Sequence, residues 1–399
     1  MTRFEQIPPG GAASRTAPRC GSYSQWVHRV IRSVKSDRNL LISLFDSSVP
    51  EPVELVREVV LQGFEGAVTP RYTSAFADGN PFVVDALRQR YDLGQASILC
   101  TTGATGALSL IYRALLSPGD RILVETPCFD LFHTIAQSLD HPVDFVERRG
   151  DRFTIDPEEV AAAMTPRTRL IVLSNLHNPS GMALDEERLR AIARVAEAHG
   201  ALLVVDEVYG DYAGQATRRW SATSLSPAIL SVSSLTKTYG LSTLRCGWIA
   251  GTHEAMRPIR ALNEEVEFGV SNLAHAMAAL VLEGASRFDS YRDDILARAR
   301  PIVDSYHAYW LRDGLIVGSL PDAGCIAFPR LAGIDDSEHF SEWLADRCGV
   351  VVAPGEYFGA PGHIRIGFAR PPGDIDYGLG ALTEGLQRYR DLGLGRKTR

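Results

Sequence analysis

The sequence predicts an α/β protein: a mainly parallel sheet with helices on both faces, joined to a smaller α+β lobe. Three observations point there. From about residue 97, short apolar runs alternate with longer helical patterns, as expected of strands joined by crossover helices. At 399 residues the chain is too long for one small core. After about residue 273 the alternation gives way to a long helical stretch and then to short β-like segments.

Taken in order, residues 1–20 lack the continuous apolar stretch of a signal peptide and read as a flexible leader. Residues 21–65 precede the alternation and are assigned to the small lobe. Residues 66–272 form the large domain. Its apolar runs Arg121–Glu125, Leu170–Ser174, Ala201–Asp206, Ile229–Ser233 and Gly247–Ala250 read as buried strands. Between two of them, Asp185–His199 places Leu189, Ile192, Ala193 and Ala196 at helical spacing, and Gly200 closes the helix. Residues 273–399 complete the small lobe: a helical stretch around Ala274–Arg312, the runs GLIVGSL and GCIAFPRL, a helix, then GVVVAP and HIRIGFA. The last residues, GLGRKTR, read as a frayed end. In a parallel sheet ligands sit beyond the carboxyl ends of the strands, and the polar motifs fall there.

Composition narrows the class. With 45% hydrophobic and 22% charged residues the chain is that of a soluble globular protein. A net charge of −7 without a basic stripe argues against nucleic acid, and no apolar run approaches a membrane span. The six cysteines are scattered, with no CxxC and no histidine pair at zinc spacing. They read as reduced thiols of a cytoplasmic protein, with no metal site expected.

One residue stands out from that background. Of 41 lysines and arginines only three are lysine, and between Lys35 and Lys397 the only one is Lys237. Arginine-favouring codon usage accounts for most surface positions, but not for the exception. Arginine stays protonated, whereas a crowded lysine can lose its proton and attack a carbonyl. Lys237 follows an apolar strand, with Ser233, Ser234 and Thr236 before it and Arg245 after it. A lone strand-end lysine is ordinarily a solvated surface group. Hydroxyls beside an arginine are what a phosphate monoester needs, and a lysine next to them suggests pyridoxal phosphate held as a Schiff base.

Three further motifs fit that cofactor. In TTGATGALSL, Gly103 and Gly106 open an apolar helix whose free amides, at Ala104 and Thr105 among others, can bind an anion; a tight turn without a ligand is the bland alternative. Asp206 ends an apolar strand, either as a helix cap or salt-bridge partner or as the buried charge that keeps a pyridinium nitrogen protonated. Tyr209, three residues on, can place its hydroxyl near the cofactor's phenolic oxygen. In NLHNPSG, Asn178 is either part of a simple turn or an amide donor to that same oxygen.

Together these residues resemble the class I/II aminotransferases of fold type I, the pyridoxal-phosphate-dependent transferase fold, over about residues 40 to 390. The family's N-P-[ST]-G appears as Asn178-Pro179-Ser180-Gly181, its D-x-x-Y as Asp206 to Tyr209, and its S-x-[ST]-K as Ser234-Leu235-Thr236-Lys237 with Arg245 following. The resemblance implies Phe129 as the ring-stacking aromatic and Gly103, Ala104 and Thr105 as the phosphate turn. It also implies Arg365 as the α-carboxylate clamp and Tyr72 as a contact to the neighbouring subunit's phosphate, hence a homodimer. The implied reaction moves an amino group between an L-amino acid and a 2-oxo acid, with the freed amine of Lys237 moving the proton between Cα and the cofactor.

Three departures bear on substrate choice. Phe129 stands where many members have Tyr or Trp. Ser48 stands where relatives commonly have a glycine near the substrate carboxylate. The stretch that carries a cationic clamp in dicarboxylate-specific members offers Glu264, Glu265 and Glu267 and no arginine. Those glutamates are either a solvated helix end or a device favouring a cationic or polar amino acid. The same scaffold also runs elimination, cyclisation or oxidation, so a lyase, cyclase or oxidase is the main alternative. A non-catalytic sensor is disfavoured because no helix-turn-helix pattern precedes the resemblance, and a NAD site because there is no G-x-G-x-x-G.

Overall fold

The computed structural model describes residues 21–36, 41–65, 68–213, 221–267 and 269–394. The leader 1–20 and the end of the tail lie outside them. A seven-stranded sheet forms the centre, in the order Ser97–Thr101, Gly247–Gly251, Ile229–Ser234, Leu202–Asp206, Thr168–Ser174, Arg121–Thr126, Val143–Glu147. Six strands run parallel to one another. Gly247–Gly251 alone is antiparallel to both its neighbours. All five strands expected from the sequence are present. The two it did not supply are Ser97–Thr101 and the edge strand Val143–Glu147, whose half-exposed residues do not read as an apolar run.

The reversed strand has a consequence for the site. A parallel connection requires a crossover element, but an antiparallel one can return directly. The chain therefore turns back between Ser234 and Gly247 at the carboxyl edge of the sheet, and this one loop holds Lys237 and Arg245 at the same edge. Helices cover both faces. Glu186–Ala198 buries the expected Leu189, Ile192, Ala193 and Ala196. Asp185 caps it by accepting from the Arg188 amide. On the other face, Gly103–Leu115 buries Ala107, Leu108, Leu110 and Ile111 against the sheet.

The small lobe is a separate apolar cluster. Leu344, Phe340, Ile364, Ile366, Leu379 and Leu382 pack between the helices Ala285–Arg312, Ser337–Cys348 and Pro372–Asp391. The expected long helical stretch is two helices, Asn272–Glu283 and Ala285–Arg312, parted at Gly284. Packing also differs from the boundaries at 65/66 and 272/273. Val59 on Val53–Phe64, and Met277, Ala278 and Val281 on Asn272–Glu283, bury against Ile98, Trp248 and Ala250 of the large sheet. These two helices belong to the large domain's core because their apolar faces find the sheet and not the small lobe.

Candidate active site

Five loops leaving the carboxyl ends of parallel strands converge with the small lobe on a cavity of about 180 Å³. Its lining brings together Ala104, Thr105, Phe129, Asn178, Asp206, Tyr209, Ser234, Lys237, Arg245 and Arg365, residues expected from the sequence, and adds Tyr23, Ser47 and Ser174.

One end of the cavity is an anion cradle. The helix Gly103–Leu115 presents its first-turn amides there, and Ala104, Thr105, Ser234, Thr236 and Arg245 surround them. Gly103 has φ +81°, and a Cβ on it would lie 2.8 Å from Arg245 Nη2. Arg245 donates through that same nitrogen to the Thr102 carbonyl at 3.2 Å. A Cβ on Gly247 would come within 2.5 Å of the Gly103 carbonyl carbon. The turn and the arginine fit only because neither glycine has a side chain.

The middle of the cavity is built to hold a polar ring. Asp206 is buried; one carboxylate oxygen accepts from the Val208 amide at 3.0 Å. Burial pushes its pKa up to about 7, so the charged form gains from a cation beside it. The Tyr209 hydroxyl is buried without a hydrogen bond of good geometry, although Ser47 lies close. Asn178 commits its side-chain oxygen to Arg365 Nη1 at 2.9 Å, which leaves its amide N–H free to donate into the cavity.

A second layer fixes Asn178. The Ser174 hydroxyl accepts from its backbone N–H at 3.0 Å and donates to Glu125 at 2.6 Å. Glu125 pairs with Arg148, both fully buried, and Arg148 donates to the Ser174 carbonyl at 2.8 Å. His177 is also buried. Its Nε2 lies 2.8 Å from the Pro127 carbonyl, so that nitrogen carries the proton, and Nδ1 accepts from Ser180 at 2.7 Å. This imidazole ties the Asn178 turn to the loop that carries Phe129.

Lys237 faces the cavity, with Nζ 3.2 Å from Ser47 Oγ. Its carbonyl accepts from the Tyr212 hydroxyl at 2.8 Å, which fixes the backbone. Burial and then the charge of Arg365 lower its pKa to about 8, so a usable fraction of neutral amine exists near neutrality. Arg365 is buried. Its partners are the Asn178 amide, the Phe45 carbonyl at 2.9 Å and the Tyr23 hydroxyl, and its Nε has none. Among the described residues no carboxylate pairs with Lys237, Arg245 or Arg365.

Several expected residues lie outside this cavity. The N-terminal loop lines the cavity through Ser47; Ser48, one residue on, is not among the lining residues. Loop residues have no fixed period, so spacing could not choose between them. Tyr72 does not reach this chain's cavity and is exposed. Glu264 and Glu265 are exposed at the end of the helix His253–Val266, and Glu267 lines a separate depression with Arg113 and Asn263. Tyr23, His177, Glu125 and Arg148 were missed. For Tyr23 a signal existed: Tyr23, Trp26, Val27 and Val30 follow a helical apolar period.

A model of the aminotransferase class I and II family matches residues 56–382. The chain belongs to that family. Its members use pyridoxal phosphate. The chain is 30% identical over 295 residues to arginine–pyruvate transaminase of Pseudomonas aeruginosa, covering 71% of this chain and 74% of the relative. It is 29% identical over 303 residues to capreomycidine synthase of Streptomyces vinaceus, covering 75% and 77%. A PLP-dependent aminotransferase from Streptococcus suis has the same fold, with a TM-score of 0.80 at 24% identity, over 96% of this chain and all of that one.

The residues of the aminotransferase fit the cofactor. The amide cradle with Arg245 suits its phosphate, and buried Asp206 its ring nitrogen. The unpartnered Tyr209 hydroxyl and the Asn178 amide suit its phenolic oxygen, and Lys237 its aldehyde. Gly103→Ala is expected to weaken cofactor binding about tenfold or more, since a positive φ alone costs a side-chain residue about 1–2 kcal/mol. Titration of the apo-enzyme with pyridoxal phosphate measures this.

Proposed function

We propose that the chain transfers an amino group from a non-acidic L-amino acid to a 2-oxo acid, using the residues assembled in this cavity. What carries the reading is a single feature: three cations share the cavity, and among the described residues no carboxylate forms an ion pair with any of them. Arg245 serves a phosphate, Arg365 a carboxylate, and Lys237 supplies an amine. Pyridoxal phosphate, when bound, supplies an electron sink for the charge that develops on the substrate's Cα.

The protein's own part follows from position. Arg365 and the Asn178 side chain that it holds orient the substrate carboxylate, which fixes the direction of the Cα–H bond. Lys237 faces the same cavity and would carry the Cα proton, a task its lowered basicity matches. Asp206, buried at the strand end, would hold the positive charge of the ring nitrogen. Phe129, Leu108 and Val208 give the cavity apolar walls.

A second carboxylate on the substrate would find no further cation among the lining residues described. This supports donors with neutral or cationic side chains, as does the similarity to an arginine–pyruvate transaminase. A donor screen with 2-oxo acid products identified by mass tests the reading. Asp and Glu are expected among the poor donors, at least tenfold below the best; either one as the best donor would sink it. The similarity to capreomycidine synthase favours a second reading, in which the same carbanion is diverted to another product. Accumulation of the amine form of the cofactor with a 2-oxo acid supports transfer, whereas a product that keeps its α-amino group supports the second reading.

We also propose a homodimer. Val68, Tyr72 and Phe76 are exposed apolar side chains on the segment 68–77. A second copy covering them would suit the contact across subunits that the family resemblance implies for Tyr72.

A further inference from the structure

The N-terminal helix Tyr23–Ser36 does more than cover the small lobe. Its apolar face, with Tyr23, Trp26, Val27 and Val30, packs on Phe45, Phe328, Tyr357 and Phe358. Trp26 lies against Tyr23, ring centroids 5.7 Å apart and 26° from parallel. The start of the helix is pinned from the large domain: Asp130 accepts from the Tyr23 backbone N–H at 2.8 Å. That carboxylate takes one of the amides that a helix leaves unpaired at its N-terminus. Pinned at this end and packed along one face, the helix sets the Tyr23 side chain into the cavity, edge-on to Phe129 at 6.2 Å and 76°.

There Tyr23 meets Arg365. Its hydroxyl accepts from Nη2, and the guanidinium carbon lies 5.1 Å from its ring centroid. Nη2 also donates to the Phe45 carbonyl, so both of its hydrogens are committed. Nε remains free. A carboxylate arriving at this edge of Arg365 can therefore take Nε directly, but where its second oxygen would meet Nη2 it finds the phenol. A phenol accepts and donates at once, and the Tyr23 proton is not donated to any described group. Burial raises the phenol's pKa and keeps that proton in place.

We propose that Tyr23 is a substrate-binding residue: its O–H donates to one oxygen of the α-carboxylate while Arg365 Nε–H donates to the other. Asp130 is the positioning residue that holds it there. The inference rests on Arg365 as the carboxylate clamp, and its test separates the two.

Propionate, which has the carboxylate and no amine, is the probe. Its binding to the holoenzyme is followed by the fluorescence of Trp26, isolated by difference against Trp26→Phe, and by its inhibition constant against the amino donor. Tyr23→Phe keeps the ring and its packing. It is expected to weaken propionate about tenfold or more, the worth of one hydrogen bond to a charged group. KM for donor and acceptor should rise together by a similar factor, with a smaller loss in kcat. Asp130→Asn should weaken propionate less, and should add nothing once Tyr23 is Phe. If Arg365→Leu loses propionate while Tyr23→Phe binds it as the wild type does, the role of Tyr23 is overturned and the clamp stands. If Arg365→Leu binds propionate normally, both fall.

Discussion

Replacing Lys237 by arginine is expected to abolish turnover, by about 10³-fold or more, the scale of losing a positioned acid–base group and nucleophile together. Arginine keeps the charge and nearly the length, so the change isolates what the amine does. It remains protonated at any working pH and cannot take up an aldehyde. Borohydride reduction followed by peptide mass should find the cofactor on the peptide containing residue 237 in the wild type, and on no peptide in the variant. Substantial transamination by Lys237→Arg would refute the assignment. The lowered basicity adds a pH signature. With the Lys237 pKa at about 8 instead of 10.5, the neutral amine is already the major form above pH 8. Capture of pyridoxal phosphate by the apo-enzyme should therefore accelerate toward pH 8 and level off above it.

Asp206→Asn is the second large effect, and it should move activity and stability in opposite directions. Losing the buried charge that stabilises a protonated ring nitrogen is expected to lower kcat about 10²- to 10³-fold, the range for removing a preorganised electrostatic partner. KM should change far less, since the carboxylate site proposed at Arg365 does not involve Asp206. In the apo-enzyme the same charge is a burden. The Asp206 pKa lies above its ordinary 3.8, at about 7, because burial disfavours the ionised form. A carboxyl raised in the folded state loses stability for the fold as pH climbs from about 4 to about 7. Asparagine does not titrate, so the apo variant is expected to melt a few degrees above the apo wild type at pH 8, with the gap closing toward pH 4. A variant with wild-type kcat, or with a lower apo melting temperature at pH 8 and no gap closure, would remove Asp206 from this role.

The parts of this site legible in the sequence share one property. Lys237, Asp206 and Asn178 each sit at or just past the end of an apolar run, and in a parallel sheet that position is also a place in space. Reading the strand sufficed to place the residue. The missed parts lack such an anchor. Ser47 and Ser48 are neighbours on a loop, where no period says which one faces inward. Glu125 and Arg148 lie on or beside adjacent strands, and only the register of Arg121–Thr126 with Val143–Glu147 brings them together. Tyr23 showed its helical period, but a period says that a face will be buried and not against what.

The same distinction holds for the whole molecule. Local pattern and residue chemistry gave the α/β class, five of the seven strands and the pyridoxal phosphate dependence, and singled out Lys237 as the lysine to test. Tertiary structure decided which chain segments meet across the cavity. It moved the helices Val53–Phe64 and Asn272–Glu283 to the large core, put Ser47 beside Lys237, and set Tyr23 on Arg365 across more than three hundred residues of sequence. Those contacts follow from burial of shared apolar surface, which depends on shape and area and has no direction along the chain.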